Sequence, residues 1–134
     1  MIRRFYFLVL ILVLLSACVD VGIKQKMSML DDEITDYSVS LRWSMLDTIE
    51  SYHRKKSGET MPLDRSAVKD IRVTGVNMEE KSMNEDLTEA VVKGEVDYYR
   101  VDSGALKKLP FTQNWWYDDK DKHWFTDSDY IKFK

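Results

Sequence analysis

The clearest pattern in the chain is a helical one between residues 30 and 56. Apolar residues recur there at three- and four-residue steps, which places them on one face of a helix. They are Leu30, Ile34, Tyr37, Leu41, Met45, Thr48 or Ile49, and Tyr52. Acidic residues follow its start, basic residues stand at its end, and Gly58 is placed to form a left-handed cap. The pattern predicts one uninterrupted helix of roughly seven turns.

After residue 64 the hydrophobic period falls from 3.6 to two, which predicts strands. The phase slips at Gly75, which indicates a β-bulge in the first strand. The alternating segments are residues 71–78, 90–98, 109–117 and 123–126, with turns at residues 102–104 and 118–122, and residues 127–134 form a mixed tail. Each strand has one apolar and one charged face, which is typical of an antiparallel sheet with one face in water.

One long helix followed by a meander of strands allows few packings. The apolar stripe of the helix has to be covered, and the apolar face of the sheet is the surface that can cover it. The sequence therefore predicts an α+β fold in which a long N-terminal helix packs in a curved antiparallel sheet.

A separate apolar segment opens the chain. Arg3 and Arg4 precede an almost unbroken apolar run over residues 5–15, and Ser16 and Ala17 lead into Cys18, the only cysteine. This order resembles the signal of bacterial lipoproteins. The run is short for a membrane span, although an uncleaved anchor and a buried core helix are the alternatives.

The resemblance to bacterial lipoproteins implies that Cys18 carries a diacylglyceryl group, that cleavage follows Ala17, and that the new amine is acylated. Residues 1–17 are then a signal peptide, residues 18–29 a lipidated tether, and residues 30–134 a single domain. Aspartate after the cysteine favours the inner membrane in this class, and Val19 stands there instead. The resemblance therefore implies the periplasmic face of the outer membrane, with the lipid bilayer as a partner through Cys18.

The composition of the mature chain excludes several classes of function. Without residues 1–17 it has 117 residues, enough for one domain, with 18 basic and 23 acidic residues and a net charge of −5. This charge argues against a nucleic-acid partner. Once Cys18 is lipidated no thiol remains, which excludes disulfides, thiol catalysis and cysteine metal sites.

A second resemblance covers residues 30–129. The string Leu41-Arg42-Trp43, the strand pair at residues 92–101 and 109–117, and the tryptophan-rich finish are similar to the nuclear-transport-factor-two-like fold, also called the cystatin-like cone. Residues 98–103 and 113–118 resemble segments of small uncharacterised bacterial lipoproteins with this fold. The chain is shorter between its first helix and first strand than many members. Homodimers are common in the family, so the resemblance implies a homodimer as one partner state.

Chemistry in the broad fold family centres on acid–base groups inside the cone. The candidates are His53, His123, Asp97 and Arg100. We expect His53 at a solvated helix end, His123 at an exposed strand start, and Asp97 on the charged sheet face. Arg100 shares the phase of the apolar positions, so we expect it at the cone mouth, as a binding residue or in a salt bridge. No metal-ligand spacing, phosphate loop or nucleophile motif occurs, so we expect no enzyme, catalytic residue, metal or cofactor.

Aromatic residues are the remaining signal. Trp115 and Trp116 are adjacent in a predicted strand and must point to opposite faces, so one lies off the core. Cross-strand aromatic pairing is one interpretation. The other is a contact surface anchored by Tyr99 and Trp116 with Arg100 beside them. We therefore expect a non-catalytic binding or scaffold module with an envelope protein as partner. A binder of a small apolar or amphiphilic ligand in the cone is the alternative, and an enzyme the third.

Overall fold

The computed structural model describes the backbone of residues 2–134 and the side chains of residues 22–134. The elements follow in the order α1 (Ile2–Arg42), α2 (Leu46–Tyr52), α3 (Arg65–Val68), β1 (Ile71–Met83), β2 (Glu89–Arg100), β3 (Leu106–Asp118) and β4 (His123–Thr126). The signal segment at residues 1–17 and the lipidation site Cys18 lie outside the residues whose side chains are described. Within the described part, no helix is both long and apolar enough to cross a membrane.

The predicted α+β class is confirmed. The four strands form an open antiparallel sheet in the order β1-β2-β3-β4, each pairing with the next along the chain. The long N-terminal helix α1 buries Leu30, Ile34, Tyr37 and Leu41 against it. The 3.6-residue stripe read from the sequence is therefore the face of α1 that enters the core.

Helix α1 runs antiparallel to β1, which gives the domain two distinct ends. Near its entry into the domain, Asp31 forms an ion pair with Lys81 late in β1. At its other end, the Arg42 guanidinium donates to the carbonyl of Val73, early in β1, at 3.1 Å. The end built from the close of α1, the start of β1 and the β2–β3 hairpin is called the distal end below.

The predicted single helix over residues 30–56 is wrong at its centre. Met45 N–H donates to Ser40 O at 2.9 Å and Ser44 N–H to Leu41 O at 3.4 Å, with Ser44 at φ 55°. This is a Schellman motif, which closes a helix by placing one residue in the left-handed region. Glycine usually fills that position, and Ser44 does so here, which is why the sequence pattern continued through the stop.

The tether predicted at residues 18–29 is helical over its described part. Residues 22–29, named the stalk, are the part of α1 that precedes its buried stripe. Its last turns contact the domain, since the carbonyl of Lys26 accepts a hydrogen bond from the Trp124 indole at 3.1 Å. Ile23 and Met27, one turn apart on the stalk, are exposed.

The strand predictions are confirmed, with longer strands than expected. The register of β1 on β2 shifts between Val73 and Gly75, at the predicted bulge, and again between Met78 and Glu80. Beside the second shift, a Cβ on Gly94 would lie 2.5 Å from the carbonyl oxygen of Asn77. The close approach of two backbones therefore requires glycine at this position.

The interior is filled by side chains from both layers. Tyr37, Val96, Tyr98, Trp115 and Trp124 are almost fully buried. An apolar cavity between α1, α2 and residues 130–133 has a volume of about 40 Å³. A volume of that size holds a few water molecules and is too small for an organic ligand.

Candidate functional site

Tyr99 and Arg100 lie together at the distal end, as neighbours at the close of β2. Tyr99 is half-buried and pairs across the sheet with Arg72 and Leu106. Arg100 is half-exposed, and its Nε lies 3.6 Å from Asp102 in the following turn. The salt-bridge interpretation of Arg100 thus has a partner, and an exposed pair of this kind contributes little stability.

Trp116 does not join Tyr99 and Arg100. It pairs with Glu89 at the opposite end of β2, so about 33 Å of strand separates it from Tyr99. Only 9% of its surface is exposed, and its indole N–H donates to the carbonyl of Arg54 at 2.9 Å. The expectation that Trp116 is an exposed anchor is wrong, because Arg54 and Phe125 cover the outer sheet face there.

Four exposed apolar residues lie instead at the distal end. Trp43 is 68% exposed and Leu106 is 74% exposed, and Met45 and Val101 are exposed as well. These four residues are named the distal surface. Sequence reasoning did not propose them, although one signal was present: Trp43 falls off the apolar stripe of α1, so an aromatic side chain there has no place in the core.

The four residues of the distal surface lie at the ends of secondary-structure elements. Trp43 and Met45 flank Ser44 in the motif that closes α1. Leu106 pairs with Tyr99, and Val101 N–H donates to the carbonyl of Asp70 just before β1 at 2.9 Å. The surface therefore combines residues from two layers of the domain, and its backbone is held by hydrogen bonds at each point.

His53 is buried, with 2% of its surface exposed, so its predicted place at a solvated helix end is wrong. The Trp115 indole donates to Gln113 Oε1 at 3.3 Å, and the Gln113 amide donates to the Tyr37 hydroxyl at 3.1 Å. The Tyr37 hydroxyl therefore donates its hydrogen to His53 Nε2, with 2.9 Å between the oxygen and the nitrogen. His53 Nδ1–H in turn donates to the Ser128 carbonyl at 3.0 Å. This order fixes a neutral imidazole with the proton on Nδ1.

Burial governs the protonation of this network. It lowers the pKa of His53 to about 4, against the opposing hydrogen bond to Ser128. It also raises the pKa of Tyr37 well above its ordinary range. The groups hold α1, β3 and the segment after β4 in one arrangement, and every one of them has a partner inside the protein. The network is therefore a structural element of the core.

His123 is half-exposed at the start of β4, close to its predicted place, and it contacts α1. Its Nδ1–H donates to the Trp124 carbonyl at 2.8 Å, while Nε2 lies 3.3 Å from the Glu33 carboxyl. Since both atoms accept when unprotonated, the contact needs a second proton shared between them. Burial raises the pKa of Glu33, and the charge of His123 opposes that shift. The pair joins α1 to β4.

Asp97 lies on the outer sheet face, where it was predicted. Lys108 Nζ lies 3.0 Å from Asp97 and 3.4 Å from Glu95, so the three form a charged cross-strand group. Over residues 22–134, no three metal-ligating side chains cluster closely enough to hold a metal ion. The outer face is accordingly charged and solvated, in contrast to the apolar distal surface.

No family model, curated protein or solved structure matches this chain.

Proposed function

We propose that the chain is a membrane-anchored lipoprotein whose single α+β domain, a cystatin-like cone, is a non-catalytic protein-binding or scaffold module. We place it on the periplasmic face of the outer membrane, anchored through Cys18. The observation that carries the proposal is the direction in which α1 runs through the domain. The stalk lies at one end of the domain, and the distal surface lies at the other.

A cluster of exposed apolar side chains on a small domain is typical of a protein-binding surface. Tryptophan is the side chain most enriched among residues that dominate binding energy. Trp43 follows directly on α1, which runs as one helix from Gly22 to Arg42, a length of about 30 Å. A helix anchored at its other end would hold this surface away from the bilayer, where a partner protein in the envelope can reach it.

Anchoring in this proposal comes from the acyl chains on Cys18. Each buried CH₂ group contributes about 0.8 kcal/mol, and two or more chains on one residue give stable attachment. The domain then needs no membrane affinity of its own, which fits its acidic net charge after residue 17.

The alternative, an apolar or amphiphilic ligand inside the cone, needs a cavity of several hundred cubic ångströms. The apolar interior cavity holds about 40 Å³. A ligand in that cavity would require a rearrangement of the segment after β4, while protein binding at the distal surface requires none. An enzymatic role remains the third candidate, and the two histidines already serve as links between elements.

Photocrosslinking in intact cells tests the binding role. A photoreactive residue replaces Val101, which is exposed on the distal surface, and a matched control replaces Glu85, which is exposed in the turn between β1 and β2 at the opposite end of the domain. We expect one specific envelope protein to crosslink through position 101 and not through position 85. Capture of only a second copy of the chain would reassign the distal surface to a homodimer, and equal capture at both positions would refute a specific site.

Acylation and fractionation test the anchor separately. We expect the unmodified chain to incorporate labelled palmitate and to fractionate with the outer membrane, and Cys18→Ser to do neither. An unmodified chain that takes up no label, or a Cys18→Ser chain that still fractionates with membranes, would contradict lipid anchoring.

A further inference from the structure

Residues 129–134, named the strap, run alongside β3 after β4 has ended. In the paired region Trp115 lies opposite Thr126. The same antiparallel order continues beyond it, because Asn114 N–H donates to Ser128 Oγ at 2.8 Å and Lys107 Nζ donates to the Lys134 carbonyl at 3.0 Å. The strap thus occupies the place that a longer β4 would take.

The strap nevertheless does not pair with β3. Within the described chain, no main-chain hydrogen bond joins residues 129–133 to another segment. A cleft of about 370 Å³ lies between the two, lined on one side by Leu109, Phe111 and Gln113. The edge of β3 over residues 109–113 is therefore open to the cleft, and an open edge is a template for another strand.

Pro110 accounts for the missing ladder. The N–H of Asn114 faces the strap, and its carbonyl accepts from Thr126 Oγ1 on the same side. Since strand groups alternate by two, Thr112, Pro110 and Lys108 present their main-chain groups to the same edge. Proline has no N–H, so one donor is missing opposite the middle of the strap. Thr112 and Lys108 keep both donor and acceptor.

Side chains hold the strap in place. Tyr130 stacks on His53 at 3.8 Å between ring centroids, and its hydroxyl donates to the Met61 carbonyl at 2.6 Å. Phe133 packs edge-on against Tyr98 at 4.9 Å. With Ile131 these rings close the apolar groove, where the cavity of about 40 Å³ remains beneath them. At the end of the strap, the Tyr98 hydroxyl donates to the Lys134 carbonyl at 3.0 Å and accepts from the Lys134 N–H at 3.1 Å. Each of these contacts involves a side chain, and a segment held without a main-chain ladder opens at lower cost than a paired strand.

We propose that the strap is a displaceable occupant of a strand-acceptor site, which takes an extended segment of a partner protein. The incoming segment pairs with Thr112 and Lys108. Because alternate side chains of a strand share one face, it places an aliphatic and an aromatic residue two positions apart in the groove, at the positions of Ile131 and Phe133. The proposal rests on the protein-binding role and gives the chemistry of one partner segment. Addition of a strand to an open sheet edge is a recurring mode of peptide recognition.

The strap also sets how tightly such a segment binds. Because it is part of the same chain, it competes at an effective concentration in the millimolar range. Weakening its anchors should therefore strengthen binding of a segment supplied from outside. A merely structural strap would give no such gain.

The first experiment measures binding of a fluorescent peptide with the sequence of residues 127–134 to the full chain in phospholipid nanodiscs. We expect the double variant Tyr130→Ala, Phe133→Ala to bind it at least tenfold more tightly than the unmodified chain. A control peptide with serine at its Tyr, Ile and Phe positions should bind to neither. A folded double variant that binds both peptides equally, or neither, would overturn the proposal.

Hydrogen exchange on the unmodified chain tests the site without a destabilising substitution. We expect the amides of residues 130–133 to exchange faster than those in the centre of β2, and excess peptide to protect Thr112 and Lys108. Slow exchange in the free strap, or binding without protection at those two amides, would refute the site. Concentration-dependent dimers that protect Thr112 without added peptide would assign the edge to a strap exchanged between copies, against a partner segment.

These readouts use purified protein, so their failure is distinguishable from failure of the binding role, which crosslinking at position 101 tests in cells.

Discussion

The neutral His53 buried in the core predicts how stability depends on pH. Its pKa falls from 6.5 to about 4 on folding, because burial disfavours the imidazolium. Between those values the unfolded chain binds a proton that the folded chain excludes. The stabilisation is therefore complete above pH 6.5 and is lost as the pH falls towards 4. The loss amounts to at most about 3.4 kcal/mol, a large part of the stability of a small domain.

Denaturant unfolding followed by tryptophan fluorescence at several pH values between 7.5 and 4 measures this loss. Carboxyl groups also titrate in the lower part of this pH range, so a variant is needed to isolate the contribution of His53. His53→Asn keeps a donor towards Ser128 and removes the acceptor for Tyr37, which should cost about 1–3 kcal/mol at pH 7.5. That difference should shrink or reverse by pH 4, because the asparagine does not titrate.

His123→Gln is the matched control, since His123 is the other histidine of the chain and its side chain is 40% exposed. We expect this variant to keep the steep loss of stability between pH 6.5 and 4. Parallel curves for the unmodified chain and His53→Asn would refute the reasoning, because they would show that His53 excludes no proton on folding.

Three further substitutions test single features of the fold. Gly94→Ala should destabilise the domain by about 1–3 kcal/mol in urea unfolding, because its Cβ would meet the Asn77 carbonyl at 2.5 Å; unchanged stability would refute the close approach. Ser44→Gly should raise the melting temperature, with a gain of about 0.5–1 kcal/mol at the left-handed position, and a lower value would contradict the helix stop. Trp43→Ala should change stability by less than about 0.5 kcal/mol while abolishing partner capture, and a larger loss would make Trp43 a core residue.

Local patterns in the sequence predicted the elements that depend on local physics. Alternation placed the strands, and the phase slip at Gly75 placed a bulge, because both follow from the two-residue period of a strand. The α1 stripe was likewise readable from its period. Its end was not, since Ser44 takes a conformation that sequence usually signals with glycine.

Contacts between distant segments determine what the sequence did not indicate. His53 lies in the last turn of the predicted helix and precedes three basic residues, yet Ser128 and Tyr130 cover it from the far end of the chain. Trp116 is covered in the same way by Arg54 and Phe125. The strap has no periodicity, and its position follows from the side chains it buries. Candidate sites inferred from single strands therefore did not identify which residues are buried and which are exposed.

Because α1 is continuous, the number of residues in the stalk determines the rotation of the domain about the helix axis as well as its distance along that axis. Each helical residue turns the chain by about 100°, so one residue inserted in the stalk would rotate the whole sheet by that angle relative to whatever the N-terminal segment is fixed to. Seven inserted residues complete almost two full turns and restore the original heading about 10 Å further out. A seven-residue insertion thus changes mainly the distance, and a one-residue insertion changes mainly the rotation. Comparing such insertions would map the direction from which a partner approaches.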